Sequence, residues 1–379
     1  MSEELNSGLR GVLAAESSLS YIDGDAGRLI YGGYSIQDLA RNASYEELLS
    51  LLWNGELPTR AELEALRDTM AAERALDDSV VEILRSLVAA DEEPMAALRT
   101  AVSSLSAHDA DSDPEDPTDR AANLRKGHRL TAKLPTIVAA YTRLRAGTDP
   151  VAPRSDLGHA ENFLYMLTDE VPAEVSADVF DQALVLHADH GLNASTFSSV
   201  VTASTHADLH SAITSAVGTL KGPLHGGANQ NVMRMLERID ESEKGPVEWA
   251  EAALDRGERV AGFGHPVYTV KDPRATILSE RAQELGEETG DPKWHEYCVA
   301  LEEYMAEEKG LAPNIDFYSA PTYYQLGIPI DIYTPIFAMS RVGGWIGHVL
   351  EQQADNKVIR PRAKYVGSEE RSVSPIEER

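Results

Sequence analysis

Three stretches of this sequence carry an acid–base side chain among glycines and prolines. His225 lies in Gly222-Pro223-Leu224-His225-Gly226-Gly227-Ala228-Asn229, where a predicted helix (NVMRMLERI) begins. A helix N-terminus disfavours imidazolium, so this ring is expected to be neutral. A neutral imidazole can donate a hydrogen bond to a developing enolate oxygen. His265 lies in Gly262-Phe263-Gly264-His265-Pro266, with Arg274 nine residues on at the next helix start. Asp316 follows in Ala312-Pro313-Asn314-Ile315-Asp316-Phe317-Tyr318. Each alone is a weak signal. Three polar groups on three Gly/Pro-rich loops, in a chain otherwise built of long helices, suggest an acid–base site.

Other groups invite chemistry less clearly. His187 and His190 stand three apart at the end of an apolar helix (ALVLHADHGL). They suit a site or a satisfied buried cluster equally well. His206 and His210 stand four apart without an H-E-x-x-H motif, so a surface helix turn is the plainer reading. Asp109, Asp111 and Asp113 imitate a calcium loop, but Pro114 and Arg120 occupy its glycine and glutamate positions. A solvated acidic loop is expected instead. Cys298 shares a helical face with Trp294, Leu301 and Met305, which favours packing over nucleophilic chemistry. Neither a G-x-S-x-G elbow nor a G-x-x-x-x-G-K phosphate loop occurs.

The elements that must position these groups are nearly all helical. Alternation around Asp23-Gly24-Asp25-Ala26-Gly27 predicts a small β-hairpin over 17–33. Ser44–Glu47 and Thr59–Glu62 are capping boxes, and Gly55 stops the first of these helices. Helical patterns follow near 78–90, 94–107, 118–146, 157–167, 176–190, 195–219, 227–239, 246–256, 274–288, 292–309 and 333–354. Pro135 is expected to kink the longest. The stretch 311–335, rich in Pro and Tyr, reads as irregular, and the Tyr323, Tyr324 and Tyr333 cluster as packing. No βαβ alternation is present, so the fold class is mainly α with few short strands. Glycine clusters near 218–227 and 262–264 make about 220–322 a candidate smaller unit that moves against the rest.

Composition limits the partners. The chain has 379 residues, a formal charge of −28 and one cysteine. Acid outnumbers base almost two to one, which argues against nucleic acid and anionic membranes. A single cysteine excludes an internal disulfide and a Cys-rich zinc site. The acidic start lacks a signal pattern and no apolar run approaches a bilayer span, so a cytoplasmic globular protein is expected. The 34 basic residues comprise 25 Arg and 9 Lys. A Lys-poor, acid-rich surface suits concentrated salt, where screening shortens self-repulsion.

Taken together, GPLHGGAN, GFGH with DPRA, and APNIDFYS resemble the active-site segments of the citrate synthases, in the same order. LHADHGLNAST, SRVGGWIGH and IRPRAKY are similar to the family's remaining substrate segments. The likeness runs from ESSLSYIDGDAGRLIYGGYSI to about Gly367. It implies an all-helical, two-domain homodimer that condenses acetyl-CoA with oxaloacetate and uses neither a metal nor a bound cofactor. The large domain would be 1–219 with 323–379, and the small domain 220–322 would close over the site. By this resemblance Asp316 is the base for the thioester methyl and His225 steadies the enol oxygen. His265 protonates the ketone oxygen. His190, Arg274 and Arg341 clamp oxaloacetate, and Arg360 completes the neighbouring subunit's site. CoA falls to Arg259, Val260, Ala261, Gly262, Phe263 and Lys271. Pro266 and Thr269 stand where relatives often carry basic CoA-binding residues, and Ala320 where glycine is common.

Substrate chemistry fits these roles. Oxaloacetate is a dianion, and arginine forks bind carboxylates bidentately. A thioester methyl is a very weak acid, so the enol needs a fixed donor in a water-poor site. A 2-methylcitrate synthase using propionyl-CoA shares the same motifs, since one methylene is discriminated by only about 1–3 kcal/mol. A citryl-CoA lyase, a metal-dependent hydrolase on the paired histidines and a non-catalytic acidic scaffold are the alternatives from other classes. The charge generates a direct expectation. Dialysis from molar potassium chloride into dilute buffer should unfold the protein, as followed by circular dichroism, and indifference to salt would remove the salt-adapted reading.

Overall fold

A computed structural model of the chain describes every residue except 1–5, 10 and 113–115. The N-terminal hairpin forms, with a short third strand. Strands β1 (Ser20–Asp23), β2 (Arg28–Tyr31) and β3 (Tyr34–Ser35) are antiparallel in that order, with Tyr21 opposite Ile30 and Tyr31 opposite Tyr34. Ser35 then caps α1 (Ile36–Asn42), accepting from Asp38 N. Both capping boxes form, opening α2 (Tyr45–Asn54) and α3 (Arg60–Glu73). Gly55, at φ 84°, ends α2 in the left-handed conformation that glycine adopts freely.

Next come α4 (Asp78–Ala89), α5 (Pro94–Ser104), α6 (Arg120–Arg145), α7 (His159–Thr168) and α8 (Glu174–His187). They are followed by α9 (Ala194–Ala203), α10 (Leu209–Leu220), α11 (Ala228–Asp240) and α12 (Pro246–Asp255). The remaining helices are α13 (Pro273–Thr289), α14 (Lys293–Lys309), α15 (Ile315–Gln325) and α16 (Tyr333–Ala354). Residues 355–379 are mostly exposed and carry only one short 3-10 turn.

Helix α16 is the axis of the core. It is buried from Tyr333 to Leu350 apart from Phe337, which is half-buried, and α2, α6, α8, α9 and α10 surround it. Small residues let backbones meet there. A Cβ on Gly343 would lie 2.6 Å from Leu49 Cδ2, and one on Gly344 would lie 2.4 Å from Ala188 O. Gly344 N donates to that same carbonyl at 3.1 Å. Helices α11 to α15 pack largely on one another, α13 and α11 both against α15 and α12 against α14. They reach the rest through α11 on α16 and α13 on α1 and α8.

Several expectations are corrected. The pattern at 195–219 is two helices, because Asp208 caps α10 by accepting from Ser211 N and His206 turns the chain at φ 64°. The stretch 311–335 is not irregular throughout. Asn314 caps α15 by accepting from Asp316 N, and the helix carries Pro321 within it. Helix α6 continues through Pro135, which is buried in the core. The first two aspartates of the calcium-like run do not form a solvated loop. Asp109 is buried against Arg129 at 2.6 Å and His210 at 3.3 Å, and Asp111 pairs with Arg125 and Arg129. Burial pushes the Asp109 carboxyl up, but hydrogen bonds from His210 and Arg129 hold it far below its usual range. His210 is therefore a buried side chain beside Asp109 and not part of a surface turn. Asp113 and Pro114 lie outside the described residues. Cys298 packs in the core with Trp294, Leu301 and Met305.

Gly344→Ala tests how tightly α16 holds the 188–190 turn. The new methyl meets a backbone carbonyl, which cannot swing aside. We expect a loss of about 1–3 kcal/mol in stability, typical of overpacking, seen as a lowered unfolding temperature.

Candidate active site

The turn between α8 and α9 is held from three directions. Tyr31 Oη donates to Asp189 O at 2.5 Å, Gly191 N donates to Ser20 Oγ at 3.1 Å, and Gly344 contacts Ala188 as described. Asp189 is fully buried and accepts from His348 Nε2 at 3.1 Å, which raises the histidine pKa and holds the carboxyl down at about 2. This scaffold presents His190. Its Nε2 lies 3.2 Å from Tyr268 Oη, and its ring meets His265 edge to face at 5.3 Å. Burial, then Arg274 and Arg341, push the His190 pKa well below the usual value.

His265 and Asp316 are presented by one local pairing. Residues 262–264 run antiparallel to 312–314, with Gly264 N donating to Ala312 O at 3.1 Å and Asn314 N to Gly262 O at 2.9 Å. Gly262 sits at φ 88°, and a Cβ there would lie 2.6 Å from Phe317, so glycine is required. Val267 N and Tyr268 N both donate to His265 Nδ1, at 3.0 and 3.2 Å. An amide can only donate, so Nδ1 is the acceptor and the neutral ring carries its proton on Nε2. Burial, with help from Arg274, lowers the His265 pKa to about 4.

His225 is set the opposite way. Its Nε2 receives Ser195 N at 3.2 Å and lies 2.7 Å from Ser195 Oγ, which Trp345 Nε1 also approaches at 3.1 Å. The proton therefore sits on Nδ1. Its pKa is lowered to about 4, first by burial and then by Arg341. Desolvation is thus the leading cause of its neutrality.

Two buried arginines supply positive charge. Arg274 is gripped by Asp272, Nε to Oδ1 at 3.0 Å and Nη2 to Oδ2 at 2.8 Å. Arg341 donates through Nε to His187 O at 2.7 Å and lies over the Phe337 ring. Burial lowers the Arg341 pKa to about 10, where it remains charged at neutral pH. Asp316 is on the first turn of α15. Burial raises its pKa to about 6, with Arg274 and Arg341 pulling down and Asp272 pushing up. A carboxyl held near neutrality and within electrostatic reach of two guanidiniums suits proton abstraction next to a bound anion.

Beside the 262–264 strand lies a groove of about 1000 Å³. Arg259, Val260, Ala261, Gly262 and Phe263 line it, as do Leu224, Arg234 and Arg238. Arg234 and Arg238 were missed in the sequence. They stand four apart on α11, so one helical face carries both into the groove. Lys271 lies elsewhere, its ammonium bonded to Glu302 at 2.6 Å above the Tyr318 ring. Arg360 is exposed on the C-terminal segment. His187 is buried with Nδ1 on Ala183 O at 2.8 Å, so it does not pair with His190. Among the described residues, no group of three or more His, Cys, Asp or Glu is placed to hold a metal ion. Ser195, Trp345 and Tyr268 were also overlooked, although Ser195 and Trp345 lie inside segments that carry the family likeness and Tyr268 lies between two of them.

The family profile described as "Citrate synthase, C-terminal domain" matches residues 8–362. The chain is 64% identical to the citrate synthase of Haloferax volcanii over 379 residues, covering all of both proteins. Among solved structures, citrate synthase from Pyrobaculum aerophilum superposes with a TM-score of 0.91 at 41% identity, covering 98% of this chain and 95% of that one. Thermoplasma acidophilum citrate synthase, in ternary complex with carboxymethyl coenzyme A and oxaloacetate, gives a TM-score of 0.89 at 33% identity. That match covers 99% of this chain and 100% of the other.

Asp316 offers a test independent of turnover. Its pKa in the fold, about 6, lies above its ordinary 3.8, so protonation favours the native state. Stability is therefore lost as pH rises from about 4 to about 6, and the loss is complete above that. Asp316→Asn should stabilise the protein at pH 7.5, by about 3 kcal/mol or less at 1.36 kcal/mol per pKa unit, and the gain should vanish near pH 4. Thermal unfolding at the two pH values reads it; equal Tm values for variant and parent at pH 7.5 would contradict the burial argument.

Proposed function

The chain belongs to the citrate synthase family, and from that premise we propose which side chains carry its reaction. The reaction is the condensation of acetyl-CoA with oxaloacetate and water to give citrate and CoA. Acetyl-CoA enters as co-substrate. The observation that carries the assignment is the surroundings of Asp316: a desolvated carboxyl near neutrality, flanked by Arg274 and Arg341.

Asp316 takes a proton from the thioester methyl while His225 donates Nδ1–H to the thioester oxygen, so that enol forms without free enolate charge. The enol carbon attacks the ketone carbon of oxaloacetate. His265 donates Nε2–H to the ketone oxygen and gives up that proton as the alkoxide develops. Water then cleaves the citryl thioester, and CoA leaves. Arg274 and Arg341, with one edge of each occupied by protein, present their other N–H groups to the oxaloacetate carboxylates beside His190. The pantetheine and nucleotide of CoA occupy the groove beneath residues 259–263, with Arg234, Arg238 and Arg259 as the phosphate partners.

Residues 220–322 form the smaller unit that closes, and 1–219 with 323–379 the larger one. The mutual packing of α11 to α15 supports this division. Closure excludes water and protects the thioester until the carbon bond exists. A homodimer is supported by large apolar side chains left exposed toward both ends of the chain, Leu13, Val358, Tyr365, Val366 and Ile376 among them. Arg360 in that exposed segment would complete a partner's site. A setting in concentrated salt is supported by the −28 charge together with the Haloferax relative. A cytoplasmic location agrees with the absence, among the described residues, of any helix long and apolar enough to cross a membrane.

Thiol release with oxaloacetate, measured in molar potassium chloride with acetyl-CoA and with propionyl-CoA, tests the reading. Acetyl-CoA should be much the faster. Asp316→Ala should lower kcat by at least about 10²-fold while the protein stays folded. Faster release from propionyl-CoA would make it a 2-methylcitrate synthase with the same residue roles, and undiminished activity in Asp316→Ala would remove Asp316 as the base.

A further inference from the structure

The turn between β1 and β2 is seated on the loop that carries His265. Thr269 N donates to Gly24 O at 3.0 Å, and Thr269 Oγ1 donates to Asp25 Oδ1 at 2.9 Å. Contact is so close that a Cβ on Gly24 would lie 2.1 Å from Val267 O. Gly24 is not in the left-handed region, so the glycine is needed there for space and not for its backbone angle. Val267 and Tyr268 are the residues whose amides converge on His265 Nδ1. Only a few bonds therefore separate the hairpin turn from the groups that set the His265 proton. At its other end the same hairpin holds the His190 turn, through Ser20 Oγ and Gly191 N. One small sheet thus touches the loops of two substrate-facing histidines that belong to different units of the chain.

We infer that Asp25 and Thr269 are positioning residues for His265. By clamping residues 266–269, they keep two amide donors on Nδ1 and so keep Nε2–H aimed at the ketone oxygen. The inference rests on the assignment of His265 to oxaloacetate made above. It also gives Thr269 a task. Its hydroxyl is spent on the hairpin, at a position where the family pattern led us to expect a basic group for CoA, and Thr269 does not line the CoA groove.

Steady-state kinetics of CoA release decide the matter. Thr269→Val keeps the side-chain size and removes the hydroxyl. It should lower kcat about fivefold, the scale of one net hydrogen bond, with KM for acetyl-CoA unchanged. Thr269→Ser should recover most of the loss. Asp25→Ala combined with Thr269→Val should be little worse than Thr269→Val alone, since that substitution already removes the bond to Asp25 together with the longer one to Gly24 O at 3.4 Å. Gly24→Ala, whose methyl would force the turn off Val267, should cost more in kcat, with circular dichroism confirming that the fold persists. Unchanged kcat in Thr269→Val, a rise in KM alone, or additive losses from Asp25 and Thr269 would each overturn the inference. An inactive wild-type protein would instead remove the proposed function and this role with it, so the two failures are distinguishable.

Discussion

The proposed chemistry depends on keeping one carboxylate, Asp316, short of water. A hydrated aspartate, with an ordinary pKa near 4, is a poor base for a thioester methyl. Burial of Asp316 moves it to about 6, and Arg274 and Arg341 limit the shift so that the group is still ionised at neutral pH. The same desolvation keeps His225 and His265 neutral, at about 4 each. One physical condition therefore raises the carboxyl proposed as the base and leaves the two imidazoles proposed as donors uncharged. Two neutral imidazoles add no positive charge that would pull the base back down.

Such a site has to be held by backbone, because buried polar side chains without firm partners are costly and imprecise. That is what the surrounding fold supplies. Amide donors from residues 267 and 268 and from Ser195 set the two imidazoles in opposite tautomers. The short pairing of 262–264 with 312–314 ties the His265 loop to the start of α15. Gly344 lets α16 approach so closely that its own amide fixes the turn before His190. The site draws on residues between 190 and 341: His190, His225, Arg274 and Asp316 lie within a few residues of a helix end, His265 is on a loop, and Arg341 lies inside α16. This explains how long helices with short, glycine-rich joints can build it.

What was legible in the sequence was local. Capping boxes at Ser44 and Thr59 define helix starts by side-chain reach alone, and Gly55 defines a stop by its conformation. The acid–base residues were conspicuous because polar groups stood on glycine-rich joints. The missed elements are those whose logic is distant or mixed. Helix α15 was hidden by prolines on either side of Asp316, although Asn314 two residues before it is a sound cap. Asp109 looked like a solvated acid until α6 and α10 brought Arg129 and His210 against it, partners about twenty and one hundred residues away. Arg234 and Arg238 were a readable i,i+4 pair, but nothing in the chain says that their helix face looks onto a groove. Thr269 was visible only as a missing base.

The overall charge and the site solve opposite problems with the same residue types. A chain at −28 repels the anions it must bind. Screening by salt acts on the exposed surface over a length of several ångströms and leaves a dry pocket largely untouched. The cations proposed for the small dianion are therefore inside, where the surface acid cannot cancel them, while Arg234, Arg238 and Arg259, proposed for the CoA phosphates, are exposed. Arg274 and Arg341 are buried, and each has one edge tied to protein. Arginine tolerates this where lysine would lose its charge, because its pKa stays high even after burial lowers it, as at Arg341. The scarcity of lysine in this chain and the use of arginine in its site thus follow from separate constraints. On the proposed salt-adapted reading the first concerns the solvent in which the surface must remain dissolved, and in the proposed site the second concerns a dianion that must be held out of that solvent.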